Sequence, residues 1–156
     1  MKRLLWSDDE GPGRFLYAAH LLQTDGWDIT WAASVEVAAE ALRNQPFDAV
    51  VLDQMLPLAA DGDRASVWGG CTLLRWLKGR PPAPTAPPNV VPPAGDPHAD
   101  NRDAPMVILS AYRHDDVEAA TREAFGGEPV PLLPKPLDVE ALRNFLNHKV
   151  TPVAGT

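Results

Sequence analysis

The chain has 156 residues, 45% hydrophobic and 22% charged, with a formal net charge of −7; that length fits one domain with a core able to fold alone. The acidic balance excludes a nucleic-acid phosphate backbone as main partner, which needs a basic face, and the lone cysteine, Cys71, excludes an intramolecular disulfide and points to a reducing compartment. Leu4 to Trp6 is too short an apolar run for a secretory leader, and no stretch approaches membrane-spanning length, so a cytoplasmic domain without membrane contact is expected.

In chain order, Leu4 to Ser7 predicts a first strand, and Arg14 to Thr24 a helix with Phe15, Ala18, Ala19 and Leu22 at helical spacing. Gly26 ends it, and Trp27 to Ala32 alternates as a second strand. Ser34 is a good N-cap for a helix through Val35, Ala38, Ala41 and Leu42, which Pro46 stops. Phe47 to Leu52 is almost continuously apolar, as in a strand covered on both faces. Cys71 to Lys78 predicts a third helix and Met106 to Leu109 a fourth strand. Asp115 or Asp116 is placed to cap a helix reaching Phe125, ended by Gly126-Gly127. Val130 to Leu133 predicts a fifth strand, and Asp138 caps a last helix through Leu142, Phe145 and Leu146. The pattern is α/β, (βα)5, with a doubly wound parallel sheet. Pro131 and Pro134 remove ladder donors, which only an edge tolerates, so the order 2-1-3-4-5 with the fifth strand outermost is expected.

Residues 1–150 read as a single domain with two insertions, at about 58–68 and 79–105, and residues 151–156 as a tail with no output domain following. Nine prolines fall in the 25 residues from Pro81 to Pro105. A stretch of that composition is expected to form an extended or disordered surface loop that packs no core. Lys78-x-x-Pro81-x-x-Pro84 formally matches a polyproline ligand, a match common in any proline-rich stretch.

Four apolar runs lead into polar residues that make sense together: Asp8 and Asp9, Asp53, Ser110, and Lys135. In a parallel α/β sheet, ligands bind outside the carboxyl ends of the strands at the point where strand order reverses. Three carboxylates, a hydroxyl and a lysine there would bind a divalent cation and place a phosphoryl group on an aspartate.

Ser7-Asp8-Asp9-Glu10, Val51-Leu52-Asp53-Gln54-Met55-Leu56-Pro57, Leu109-Ser110-Ala111 and Leu133-Pro134-Lys135-Pro136, in that order, resemble the signature of the CheY-like receiver domain of two-component response regulators. The resemblance covers the chain apart from the two insertions. It implies that Asp53 is the phosphoacceptor and that Asp8, Asp9, Asp53 and the Met55 carbonyl hold Mg²⁺, which favours octahedral oxygen coordination. Lys135 and the cation would stabilise the phosphoryl oxygens in a loose transition state, and Ser110 would donate to the attached phosphoryl group. A cis Lys135-Pro136 bond is implied as well. The implied partners are a histidine kinase or histidine phosphotransfer protein as donor, and a downstream protein target on the face of the fourth helix, fifth strand and last helix. That face is also open to a homodimer, which no residue pattern indicates. Catalysis would be limited to the chain's own phosphorylation and autodephosphorylation.

Some positions depart from that pattern. Leu132 stands where such domains commonly carry Tyr or Phe, and Tyr112 is the nearest aromatic substitute. Asp61 and Asp63 in the first insertion add negative charge near the site mouth. Gly11-Pro12-Gly13 delays the first helix. The replaced aromatic and the two large insertions suit a second reading, a pseudo-receiver that binds partners without phosphorylation. A phosphatase of the haloacid dehalogenase type would need an aspartate at Met55, and a serine hydrolase would need a Gly-x-Ser-x-Gly elbow around Ser110. His20, His98, His114 and His148 lack zinc-ligand spacing.

Overall fold

The chain is described here from a computed structural model, which places residues 1–59, 67–111 and 114–149. Asp61, Asp63, Tyr112 and the expected tail lie outside the described residues. Five parallel strands, β1 (Lys2–Ser7), β2 (Trp27–Ala32), β3 (Ala49–Asp53), β4 (Met106–Ser110) and β5 (Leu132–Pro134), form one sheet in the order β2-β1-β3-β4-β5. Five helices alternate with them: α1 (Leu16–Thr24), α2 (Val35–Asn44), α3 (Gly69–Leu77), α4 (Asp115–Ala124) and α5 (Val139–Lys149). The expected α/β class and strand order are both observed.

The sheet is covered on both faces because β3 and β4 are apolar on both. Leu5, Val50, Leu52 and Ile108 pack with α2 and α3 on one face. Leu4, Trp6, Val51 and Leu109 pack with α1 and α5 on the other. Asp25 at the end of α1 accepts from Arg143 of α5 at 2.7 Å, which holds its carboxyl below the ordinary range. No helix among the described residues is long and apolar enough to cross a membrane.

Several element ends differ from expectation, each for a local reason. Strand β3 starts at Ala49, because the Phe47 N–H donates to the Asn101 side chain at 2.7 Å instead of to a neighbouring strand. Helix α1 starts at Leu16, since the Gly11-to-Gly13 segment turns first and Arg14 N–H closes on the Glu10 carbonyl at 3.1 Å. Ser34 caps α2, accepting from Val37 N–H, and Asp138 accepts from Ala141 N–H in the first turn of α5. Helix α4 is capped by His114, whose Nδ1 accepts from Val117 N–H, and not by Asp115 or Asp116. Those two acids occupy its first turn, where the helix dipole favours negative charge. Helix α3 begins two residues early, at Gly69. A Cβ at Gly69 would stand 1.7 Å from the Leu56 carbonyl oxygen, and one at Gly70 2.5 Å from that of Asp53, so glycine lets the helix start against the β3 end. Strand β5 is shifted to Leu132–Pro134 and lies at the sheet edge, where its prolines do no harm.

The proline-rich segment does not behave as expected. It packs against the core through a few specific residues. Ala83 and Ala104 are buried, and Ala83 joins Trp68, Cys71, Val117 and Ala120 in a small apolar cluster beside α3 and α4. Arg75 is buried and donates to the Pro81 carbonyl at 2.8 Å and the Ala120 carbonyl at 2.9 Å. Fully buried Asn101 donates to the carbonyls of Leu42 and Gln45, both at 2.8 Å, ending α2 while it starts β3. Proline fixes the backbone at low entropy cost, so few anchors order a long loop. Asn101→Ala is expected to lose ~2–4 kcal/mol of stability, because it orphans buried backbone groups. A urea midpoint that falls with unchanged slope checks this; a loss below ~0.5 kcal/mol would contradict it.

Candidate functional site

The parallel register brings the polar strand-end residues to one edge of the sheet. Ser7 pairs with Leu52, Asp53 with Leu109, and Ser110 with Pro134, so each chain leaves the sheet at nearly the same level. The turns are pinned by backbone bonds: Asp8 N–H to the Ala32 carbonyl at 2.9 Å, Gln54 N–H to Leu109 at 3.0 Å, and Lys135 N–H to Ser110 at 2.8 Å. Lys135-Pro136 is cis, as the resemblance implied, and Gly11-Pro12 is cis too.

Asp8, Asp9 and Asp53 converge: one carboxylate oxygen from each lies within 4.8 Å of the others. Asp8 is fully buried, Asp53 nearly so, and Asp9 is exposed. The Lys135 ammonium stands 3.1 Å from Asp53 Oδ1 and 3.8 Å from Asp8 Oδ2. Asp53 Oδ1 also accepts from Met55 N–H at 3.1 Å, and Asp8 Oδ1 from Glu10 N–H at 2.9 Å. Asp8 Oδ2 is buried and has no hydrogen-bond donor.

Burial dominates the electrostatics. It pushes the Asp8 carboxyl up to about 6, against the lowering effect of the Glu10 amide and with help from the charge on Asp53. The Asp53 carboxyl is also raised by burial, despite the nearby Lys135. One ammonium therefore does not balance the acids, and the cluster is short of positive charge. The donor set, all oxygen with an orphaned buried carboxylate atom, fits a hard divalent cation such as Mg²⁺.

Ser110 is not turned to the acids. Its hydroxyl donates to Gln54 Oε1 at 2.5 Å. Sequence reasoning missed Gln54, although strand alternation signals it: the residue after Asp53 points to the opposite face of the sheet. Leu132 is half-exposed on the edge strand.

No protein-family profile matches the chain, and no curated protein matches it. Solved structures do. The signal receiver domain of a signal transduction histidine kinase from Syntrophus aciditrophicus superposes with a TM-score of 0.68 at 18% identity, covering 100% of this chain and 95% of that one. The fold is that of a receiver domain. A CheY-like response regulator receiver domain from Methanospirillum hungatei gives 0.65 at 17% identity, over 96% of this chain and 94% of that chain. The receiver domain of a sensor histidine kinase from Pseudomonas aeruginosa, solved with a magnesium ion in its active-site cleft, gives 0.60 at 16% identity, over 97% and 98%. In each case the superposition spans at least 96% of this chain.

Proposed function

We propose that the chain is a cytoplasmic phosphoacceptor receiver in two-component signalling, phosphorylated on Asp53 with Mg²⁺ by a histidine kinase or histidine phosphotransfer protein. It acts as one domain over residues 1–150, with residues 58–68 and 79–105 as insertions. The observation that carries this reading is the buried Asp53 carboxylate, 3.1 Å from Lys135 and clustered with Asp8 and Asp9 at the strand ends. A nucleophilic carboxylate needs nearby negative charge neutralised before it can approach a phosphoryl group, and this arrangement is built to do that.

Asp8, Asp9, Asp53 and the Met55 carbonyl would hold the cation, which supplies charge neutralisation at the equatorial phosphoryl oxygens. Asp53 Oδ1 is engaged by Met55 N–H and Lys135, which orients the carboxylate and leaves Oδ2 to attack. The Oδ2–phosphorus bond forms as the bond to the donor's imidazole nitrogen breaks. Lys135 holds charge on the transferred group. Ser110 must leave Gln54 to donate to the attached phosphoryl group, which couples modification to the end of β4. Output would then pass through protein contacts on the face of α4, β5 and α5.

Beryllofluoride, an acyl-phosphate mimic, tests the reading when titrated with Mg²⁺ while tryptophan fluorescence and two-dimensional NMR are followed. Trp6 is fully buried on the strand leading to Asp8, stacked on Phe15 and Trp31, and is a suitable reporter. A saturable change that requires Mg²⁺ and vanishes in Asp53→Asn is expected. The pseudo-receiver reading is favoured by Leu132 at the edge of β5 and by the packed insertion. It predicts a partner interaction that survives Asp53→Ala and ignores Mg²⁺.

A further inference from the structure

We propose that the cleft between α4 and the β4–β5 edge binds a compact, largely apolar small molecule bearing a carbonyl-type oxygen, recognised by the side-chain amide of Gln54. The cleft measures about 430 Å³, within the range of small-molecule sites. Ile108, Val117 and Leu132 give it apolar walls, Gln54 contributes to its lining, and the exposed Arg122 and Glu128 complete its border.

Gln54 is the feature that asks for a ligand. It is only 6% exposed, its Oε1 is taken by Ser110, and its Nε2 is buried with no acceptor. A buried amide donor without a partner carries a desolvation penalty that one incoming oxygen removes. The terminal torsion of glutamine is broad, so a small turn of the carboxamide presents Nε2 to an oxygen seated in the cleft. The same turn moves Oε1 relative to the Ser110 hydroxyl, so occupancy of the cleft is felt at the end of β4. That consequence for signalling rests on the phosphoacceptor reading; the binding itself does not.

A small molecule fits better than a peptide strand. Peptides that extend a sheet need edge donors and acceptors, and β5 is a three-residue edge strand ending in Pro134 and preceded by Pro131.

The test uses the full chain labelled with ¹⁵N and methyl ¹³C, titrated with acetophenone and with α-methylstyrene, its isostere with a methylene in place of the oxygen. Acetophenone is expected to saturate, shifting the Gln54 side-chain amide, the Ile108 and Val117 methyls and the Ser110 backbone amide. The isostere should bind about tenfold more weakly, since it leaves the amide donor unpaired. Leu132→Trp, at a position 49% exposed, should narrow the mouth and weaken acetophenone several-fold without disturbing the fold. Equal affinity for the two probes, shifts that fall outside the cleft, or no saturation by either would overturn the proposal. Saturation with an unmoved Ser110 amide would overturn the link to the strand end. Failure of the phosphoacceptor reading shows separately, as a missing Mg²⁺-dependent beryllofluoride response, and leaves the acetophenone titration as it is.

Discussion

Lys135→Ala is expected to lower the initial rate of the proposed phosphoryl incorporation at Asp53 by at least ~100-fold, the scale of losing one preorganised charge in a water-poor site. The ammonium lies 3.1 Å from Asp53 and 3.8 Å from Asp8, with only 18% of its side chain exposed, so bulk water replaces it poorly. Its removal has two effects in the same direction. Positive charge is withdrawn from the oxygens that gain charge in the transition state, and the Asp53 carboxyl, already raised by burial, loses the charge that lowers it. Rates with acetyl phosphate and saturating Mg²⁺ measure the drop. A fall smaller than about threefold would place Lys135 outside the chemistry.

Asp8→Asn stabilises the metal-free protein at pH 7.5 by ~2 kcal/mol and abolishes its stabilisation by Mg²⁺. The Asp8 carboxyl has an ordinary value of 3.8 and stands at about 6 in the fold. Between those values the folded protein holds the proton more tightly than the unfolded chain does. The contribution of Asp8 to stability therefore declines as pH rises from about 4 to about 6, and the full penalty for its buried charge is present above that range. Asparagine avoids the charge while keeping an oxygen for the Glu10 amide. Magnesium is expected to offset the same penalty in the wild type by binding the native state in preference to the unfolded chain. Melting temperatures at pH 5 and pH 7.5, with and without Mg²⁺, check this. A variant less stable than the wild type without metal, or one that still gains from Mg²⁺, would contradict it.

The sheet order and strand-end cluster were legible because they depend on local signals. Apolar runs of strand length, the glycines and prolines between them and one polar residue after each run are visible without knowing where the chain goes. Prolines 131 and 134 even told which strand lies at the edge. What escaped depends on contacts distant in sequence. Asn101 reaches α2 and the segment leading into β3 more than fifty residues away, so nothing around it distinguishes a buried anchor from a loop polar residue. Arg75 likewise reads as a surface charge on α3 until α4 is seen to fold over it. Aspartate is the commoner N-cap, but α4 starts at Asp115, which leaves His114 as the cap and both aspartates in the first turn. The Gln54–Ser110 bond joins two strand ends more than fifty residues apart in sequence, so nothing local to Gln54 signals the bond.

The most direct test of the central claim is intact-mass spectrometry of the wild type and of Asp53→Asn after incubation with acetyl phosphate, with Mg²⁺ and with EDTA. The account predicts a single added phosphoryl group on the wild type that requires Mg²⁺, is released by hydroxylamine as an acyl phosphate must be, and is absent from Asp53→Asn. An unmodified wild type beside a standard receiver labelled in the same experiment, or a phosphoryl group retained by Asp53→Asn, would contradict it.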